Sequence, residues 1–434
     1  MKQAQLSNVY PLDNSGIIHL AALRPGHSNV YRIAFTLNET VRPALLQQAV
    51  CAVTPRFPTI VAGIREGAAE YFVVPAETAP RIEPDPGLLL SMSPEDIRRC
   101  AMRVLYDENS IYMECFHSIT DGYGGFEFMK ALTAEYLHLV HGGDFHGENE
   151  ILSPKDHPCH EELADSFLDH AQDRQKAPIR RLRAFLPDEG SEKIPLRTVN
   201  SIFDLEQVLS AARRHHTSLT TLLTTVMAQA TMEVQLETCS QEEKLLPVQI
   251  MVPADLRRKF PSRTLRNFSL YALVGITPEQ RRLSFEQQLE NIEGQLRQQF
   301  TQEHLAAMIS TNTSLARNPL LRAAPLALKR LFLGAGFRLI GEVNSSLTLS
   351  NMGQTYLPEA MRPYVSHIRT FLTPRIRSPH NYGMVSYNGR LYINFTRYCQ
   401  SARLEQAFFL GMQRLGCTAE LEANGEKIRF SSLT

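Results

Sequence analysis

The sequence predicts a mixed fold of the α/β or α+β class, with two domains in which helices cover β-sheets. Helical and strand patterns alternate along the chain, which is typical of sheets packed against helices. The length of 434 residues is enough for two or three domains. No period of about 20 to 50 residues repeats, which argues against a solenoid or a propeller.

A charged segment of weak apolar periodicity, which includes the run from Asp188 to Lys193, divides the chain. Such a segment is typical of a connection rather than of a core element. We predict an N-terminal domain over residues 1–175, a linker over 176–195 and a C-terminal domain over 196–434.

In the first domain, turn residues separate the predicted elements. Strands are predicted over 30–37, 69–75, 100–106 and 111–116, and helices over 43–53 and 126–140. Pro43 suits the first turn of a helix, and Gly142 suits the end of the last one. The polar residues 107–110 are a suitable hairpin connection between two strands.

In the second domain, Asp204 and Ser218 precede helical patterns as N-terminal caps. Strands are predicted over 246–252, 346–350, 384–387 and 391–395. Asn388-Gly389 lies between the last two strands and predicts a tight hairpin turn.

The composition excludes several classes of function. Lys plus Arg and Asp plus Glu number 45 each, so the chain has no net field that would hold nucleic acid or an anionic membrane. The start lacks a signal-peptide pattern, and no apolar run is long enough to span a bilayer, so we expect a cytoplasmic protein. Seven cysteines without a C-x-x-C pair suggest neither a disulfide framework nor a zinc ribbon.

The chemistry-bearing motif is His117-Ser118-Ile119-Thr120-Asp121-Gly122, which lies between a predicted strand and a predicted helix. An imidazole at the end of a strand can present one nitrogen to a substrate. Asp121 can brace the turn, and Gly122 permits a backbone geometry or a close approach that a side chain would block. Alone, this motif is also compatible with an ordinary loop histidine.

The motif resembles the active-site signature of the CoA-dependent acyltransferase superfamily, which includes chloramphenicol acetyltransferase, BAHD enzymes and condensation domains. The alcohol acetyltransferase family is the nearest resemblance, through residues along nearly the whole chain. The similar segments are Tyr10-Pro11-Leu12-Asp13, Arg56-Phe57-Pro58, Arg103 to Tyr106, Phe116 to Gly122, Pro253 to Arg258 with Pro261 and Asn267-Phe268, Leu349 to Gly353 with Leu357-Pro358, and Ser386 to Phe395.

The resemblance implies two domains of chloramphenicol-acetyltransferase type, with the active site at their interface in a tunnel. It implies an acetyl or short-acyl transfer from a CoA thioester to an alcohol, with acyl-CoA as a co-substrate and no permanently bound cofactor or metal. His117 is the expected general base. Asp121 is expected to be a structural anchor with Arg257 as its ion-pair partner, and Ser350 and Asn351 are candidates to assist the oxyanion.

The sequence also departs from relatives in the superfamily. Phe116 stands where condensation domains have a second histidine, and a chain without tryptophan lacks the BAHD D-F-G-W-G motif. Two alternatives stay open: a condensation-like enzyme that uses a carrier-protein thioester or an amine acceptor, and an inactive binding protein with the same fold. A metal site at His138, His141, Asp144 and His146 is a further, less favoured interpretation.

Overall fold

The structure is a computed structural model. The structure describes residues 9–24, 26–147, 151–171, 182–317, 324–326, 328–329, 343–423 and 426–430. The predicted linker therefore lies partly outside the described residues. Within them, no helix is both long enough and apolar enough to cross a bilayer.

The strands in chain order are β1 (Tyr10–Pro11), β2 (Val30–Leu37), β3 (Ala62–Glu66), β4 (Tyr71–Pro75), β5 (Glu83–Pro84), β6 (Met102–Tyr106), β7 (Ser110–Phe116), β8 (Arg197–Asp204), β9 (Val248–Asp255), β10 (Ser269–Ile276), β11 (Leu347–Gln354), β12 (Val365–Leu372), β13 (His380–Tyr387), β14 (Arg390–Arg397), β15 (Ala419–Ala423) and β16 (Glu426–Ile428). The helices are α1 (Asn14–Ala21), α2 (Pro43–Val53), α3 (Pro94–Arg99), α4 (Gly122–His141), α5 (His160–Leu163), α6 (Ser166–Asp169), α7 (Leu205–Arg214), α8 (Leu219–Thr238), α9 (Phe285–Gln299), α10 (Gln302–Arg317) and α11 (Arg403–Arg414).

Two large mixed sheets carry the fold, which confirms the predicted class. One has the strand order β12-β2-β7-β6-β5 and the other β10-β9-β11-β13-β14-β8-β15-β16, and a small sheet has the order β1-β4-β3. A helix lies against each large sheet, α4 beside β2 and β7, and α8 beside β9 and β10. Separate apolar cores fill the two layers, because each sheet must bury one face against its helices.

Strand β12 joins the two large sheets, a feature that the sequence prediction lacked. It lies within the predicted C-terminal domain of residues 196–434, yet it pairs antiparallel with β2 of the first sheet. Side chains of the second sheet donate to its main chain, since Asn394 Nδ2 is 3.0 Å from Thr370 O. Gly383 permits this packing, because a Cβ there would lie 2.6 Å from Thr370 O. The first sheet therefore contains a strand from each side of the predicted linker, β2 from before it and β12 from after it.

The local chemistry of several elements agrees with the sequence. Pro43 stands in the first turn of α2. Ser218 caps α8 by accepting a hydrogen bond from Thr221 N, and Gly142 ends α4 with a positive φ of 73°. Asn388 and Gly389 both have positive φ, as the tight turn between β13 and β14 requires.

Candidate active site

His117 lies immediately after β7, where the chain leaves the first sheet. Its main-chain N–H donates to Asn29 O at 2.9 Å, which continues the pairing beside β2 for one more residue. The next residue, Ser118, donates through Oγ to Gly16 O at 2.8 Å and is fully buried. The loop that carries His117 is therefore fixed against α1 as well as against the sheet.

Aromatic rings hold the His117 imidazole. His19 of α1 stacks on it with a centroid separation of 4.4 Å and an angle of 16°, and the Tyr31 ring lies at 5.0 Å. Nδ1 of His117 is buried and has no hydrogen-bond partner among the described residues. Nε2 is not among the buried atoms that lack a partner. Of the two ring nitrogens, Nε2 is therefore the candidate to meet a substrate.

The surroundings favour the neutral ring. Burial lowers the pKa of His117, while its own main chain, the Asp121 carboxylate and the Asn267 side chain oppose this effect only in part. Burial and the neighbouring His117 together lower the pKa of His19 well below its usual value. At neutral pH, His117 is therefore a free base that can accept a proton.

Asp121 is the N-cap residue of α4, and its carboxylate is bound by residues that lie between β9 and β10. Its carboxylate caps the helix by accepting from Gly124 N at 3.2 Å. It also accepts from Arg257 Nη1 at 2.9 Å and from Phe268 N at 2.8 Å. The predicted pairing of Asp121 with Arg257 is present, and it connects the motif to residues that precede β10.

Arg257 is itself held rigidly. Its side chain is 7% exposed, and its guanidinium also binds Asp255, the main-chain oxygens of Thr264 and Arg266, and the face of the Tyr123 ring. Burial alone would lower the pKa of Arg257, but Asp121 and Asp255 raise it. An ion pair held by this many bonds acts as an anchor, because neither partner can turn toward a substrate without breaking several of them.

The glycines of the motif permit close packing across the site. A side chain at Gly122 would collide with Met352 of β11, and one at Gly124 would collide with Leu265 O. Gly122 does not have a positive φ. The structure therefore shows no unusual backbone conformation at Gly122, and the only close approach there among the described residues is to the flexible end of the Met352 side chain.

The two predicted oxyanion candidates, Ser350 and Asn351, both lie on β11 of the second sheet. The Ser350 hydroxyl lies 3.9 Å from Met352 Sδ, and Met352 contacts the position of Gly122. Asn351 is engaged with its own sheet, because Nδ2 donates to Thr220 Oγ1 at 3.1 Å and Oδ1 accepts from Gly353 N at 2.8 Å. Ser350 is therefore the freer of the two predicted candidates.

Sequence reasoning missed His19, Tyr31 and Asn267 as neighbours of His117. Asn267 is buried and donates through Nδ2 to Ser118 O at 3.1 Å, and its Oδ1 has no partner among the described residues. Asn267 belongs to the Asn267-Phe268 pair, one of the segments that resemble the superfamily, so the sequence could have indicated Asn267 as a site residue. No sequence pattern pointed to His19, which is nearly 100 residues from His117.

The histidines at the end of α4 do not converge. His138 Nδ1 is 2.7 Å from Gly143 O, and His141 Nε2 is 2.9 Å from Glu39 Oε1. Among the described residues, these side chains do not form a group that could share one ion.

No protein-family model matches the chain, and no curated protein sequence matches it. Solved structures do match. TRI101 of F. graminearum, in complex with coenzyme A and deoxynivalenol, has a TM-score of 0.65 at 11% identity and covers 95% of this chain and 100% of its own. The wax ester synthase/diacylglycerol acyltransferase of Marinobacter aquaeolei VT8 has a TM-score of 0.52 at 14% identity and covers 94% of this chain and 100% of its own.

A structure that describes condensation-domain-mediated chain release from the enacyloxin polyketide synthase is also similar to this chain. Its TM-score is 0.51 at 15% identity, and the match covers 96% of this chain and 83% of that one. The chain therefore has the fold that acyltransferases and condensation domains share, from one end to the other.

Proposed function

We propose that this protein is an acyltransferase that moves an acetyl or short acyl group from a CoA thioester to an alcohol hydroxyl. The observation that carries the proposal is the state of His117. The imidazole is held between His19 and Tyr31 with a lowered pKa and Nε2 toward the accessible side. Nearby, Asp121 and Arg257 fasten its loop to the second sheet.

The proposed mechanism is direct transfer. His117 Nε2 takes the proton of the acceptor hydroxyl as the oxygen attacks the thioester carbonyl. The tetrahedral intermediate then collapses, the C–S bond breaks, and the imidazolium returns the proton to the departing thiolate. The products are an ester and a free thiol, and no acyl group is attached to the enzyme. Ser350 is the proposed donor that assists the oxyanion.

The similarity to TRI101 with bound coenzyme A supports CoA as the donor, and the acyl transfer named for the wax ester synthase supports the reaction class. The alcohol acetyltransferase resemblance supports a hydroxyl acceptor. Similarity to a condensation domain favours the second candidate, a carrier-bound thioester as donor or an amine as acceptor. Phe116, in the place of the second histidine, argues against that candidate.

The test is a donor and acceptor panel. The purified protein is incubated with acyl-CoAs of several chain lengths, and with an acyl carrier protein, in the presence of alcohols or amines. Free thiol is followed over time, and the products are identified by mass spectrometry. The proposal expects ester formation from CoA donors. Amide formation, or turnover of the carrier-bound donor alone, supports the condensation-like alternative, and no turnover across the panel supports an inactive binding protein.

A further inference from the structure

The proposed acyl transfer does not use a second cluster of ionisable side chains, formed by Asp188, His380 and Cys399. Their ligand atoms all lie within 4.8 Å of one another. His380 Nε2 is 2.9 Å from Asp188 Oδ2 and 3.3 Å from Cys399 Sγ, and Cys399 Sγ is 3.7 Å from Asp188 Oδ2. One carboxylate, one imidazole and one thiol thus converge on a common point.

Three separate parts of the fold supply these groups. His380 begins β13 and Cys399 follows β14, and both are fully buried, whereas Asp188 belongs to the segment before β8. The Asp188 side chain is 22% exposed, so the cluster is reachable from solvent on that side.

The geometry does not fit a proton relay. In a nucleophile-imidazole-carboxylate triad, the nucleophile and the carboxylate use opposite nitrogens of the ring. Here the thiol and the carboxylate both face Nε2, and Nδ1 is buried without a partner among the described residues. Convergence on one nitrogen is instead the arrangement of ligands around an ion.

The three separations suit zinc. Atoms at these distances lie on a circle of about 1.9 Å radius, so an ion slightly out of their plane meets all three at bond lengths of about 2.0–2.3 Å. We propose that Asp188, His380 and Cys399 bind a zinc ion, with water from the exposed side of Asp188 as the fourth ligand. Zinc accepts this mixed set of sulfur, nitrogen and oxygen ligands.

Charge supports a divalent ion. A carboxylate and a thiolate with a neutral imidazole offset two positive charges, so the buried complex has no net charge. The ion would also connect the segment before β8 to the ends of β13 and β14, where Ile194 N already donates to Tyr398 O at 2.9 Å. The proposed role is therefore structural. The ion-free alternative is an Asp188–His380 ion pair with a thiol packed beside it.

Cobalt(II) is the probe, because a thiolate bound to it gives a charge-transfer absorption band that an ion pair with a free thiol cannot produce. The full chain, without a histidine tag and treated with EDTA, is titrated with cobalt(II), and zinc is then added in competition. We expect a single cobalt per chain, displacement by zinc, and a higher unfolding temperature with zinc bound.

Variants locate the site. Cys399→Ser should abolish the band, and Asp188→Asn should weaken cobalt binding by more than the ~10–100-fold typical of losing an outer-shell partner. Asp188 is partly exposed, so this variant keeps the test available if Cys399→Ser does not fold. Cys417→Ser, at another buried thiol that lies between α11 and β15, is the matched control and should leave the band unchanged. An absent band in the wild type, or equal binding by wild type and Asp188→Asn, would overturn the proposal.

Discussion

His117 is half-buried and His380 is fully buried, and their rings have opposite electrostatic surroundings. Burial dominates at His117 and lowers its pKa, and the nearest ring is another histidine. At His380 in the ion-free cluster, burial alone would lower the pKa, but hydrogen bonds with Asp188 and Cys399 raise it to about 10. The difference lies in where the carboxylate points.

Asp121 is close to His117 in sequence but does not bind its ring. Arg257, Gly124 N and Phe268 N occupy the Asp121 carboxylate, whereas the Asp188 carboxylate lies directly on His380. A carboxylate on the ring favours the imidazolium, which cannot act as a base. We therefore expect the ion pair with Arg257 to do more than fasten the loop, because it holds the Asp121 carboxylate off the His117 ring, where that carboxylate would favour the imidazolium.

The largest effect on activity is expected from removing the His117 imidazole. His117→Ala should lower acyl transfer by roughly 100- to 10,000-fold, because the acceptor proton loses its base. Thermal unfolding should change little, because the His117 side chain is only half-buried and its loss mainly removes the ring contacts with His19 and Tyr31. The measurement is the rate of thiol release, with the unfolding temperature as the control. Activity within about threefold of wild type would contradict the assigned role.

Breaking the anchor should have the next largest effect. Arg257→Ala leaves the buried Asp121 carboxylate unpaired, which should cost about 3–5 kcal/mol of unfolding free energy, and activity should fall as well. Denaturant unfolding and thiol release measure the two effects. Arg258→Ala, at the exposed neighbour, is the matched control and should be nearly neutral.

Pairing Arg257→Ala with Asp121→Asn sharpens this test. Asp121→Asn keeps the shape of the anchor but loses its charge, so Arg257→Ala in that background should add little further loss of activity. Losses that multiply independently would show that the two residues do not act as a pair.

A smaller effect is expected at the ring that stacks on His117. His19→Ala opens one face of the His117 ring to water, so the pKa seen in kcat/KM should rise toward the ordinary value of about 6.5. His19→Phe keeps the stacked apolar face and should keep the pKa closer to that of wild type. The measurement is the pH profile of kcat/KM for both variants. An unchanged profile in His19→Ala would show that His19 does not shield the base.

The smallest effects are expected on the side of the second sheet. Asn351→Ala loses bonds to Thr220 and Gly353, so it should destabilise the protein by about 1 kcal/mol while kcat changes little. Ser350→Ala should instead lower kcat without loss of stability if its hydroxyl assists the oxyanion. Thermal unfolding and kcat separate the two. A large loss of kcat in Asn351→Ala but not in Ser350→Ala would indicate that Asn351, rather than Ser350, assists the oxyanion.

The sequence predicted the elements whose signals are local. Periodicity and caps located β2, α2 and α8, and the motif with its resemblance located His117 and Arg257. It did not predict β12, because nothing local in residues 365–372 shows that their partner is a strand more than 300 residues earlier. The cluster at His380 was missed for the same reason, since its members are separated by 192 and 19 residues and match no ligand spacing.

In the proposed mechanism, His117 is neutral at working pH and takes the acceptor proton through Nε2. The direct measurement is a histidine-ring NMR titration of the free protein, with the His117 signal assigned by its loss in His117→Ala, beside the pH profile of kcat/KM. We predict a midpoint below about 6.5 for His117 and the same pKa in kcat/KM, with activity rising as the ring loses its proton. A His117 midpoint above that value, or a kcat/KM profile that does not follow it, would show that His117 is not the neutral base of the reaction.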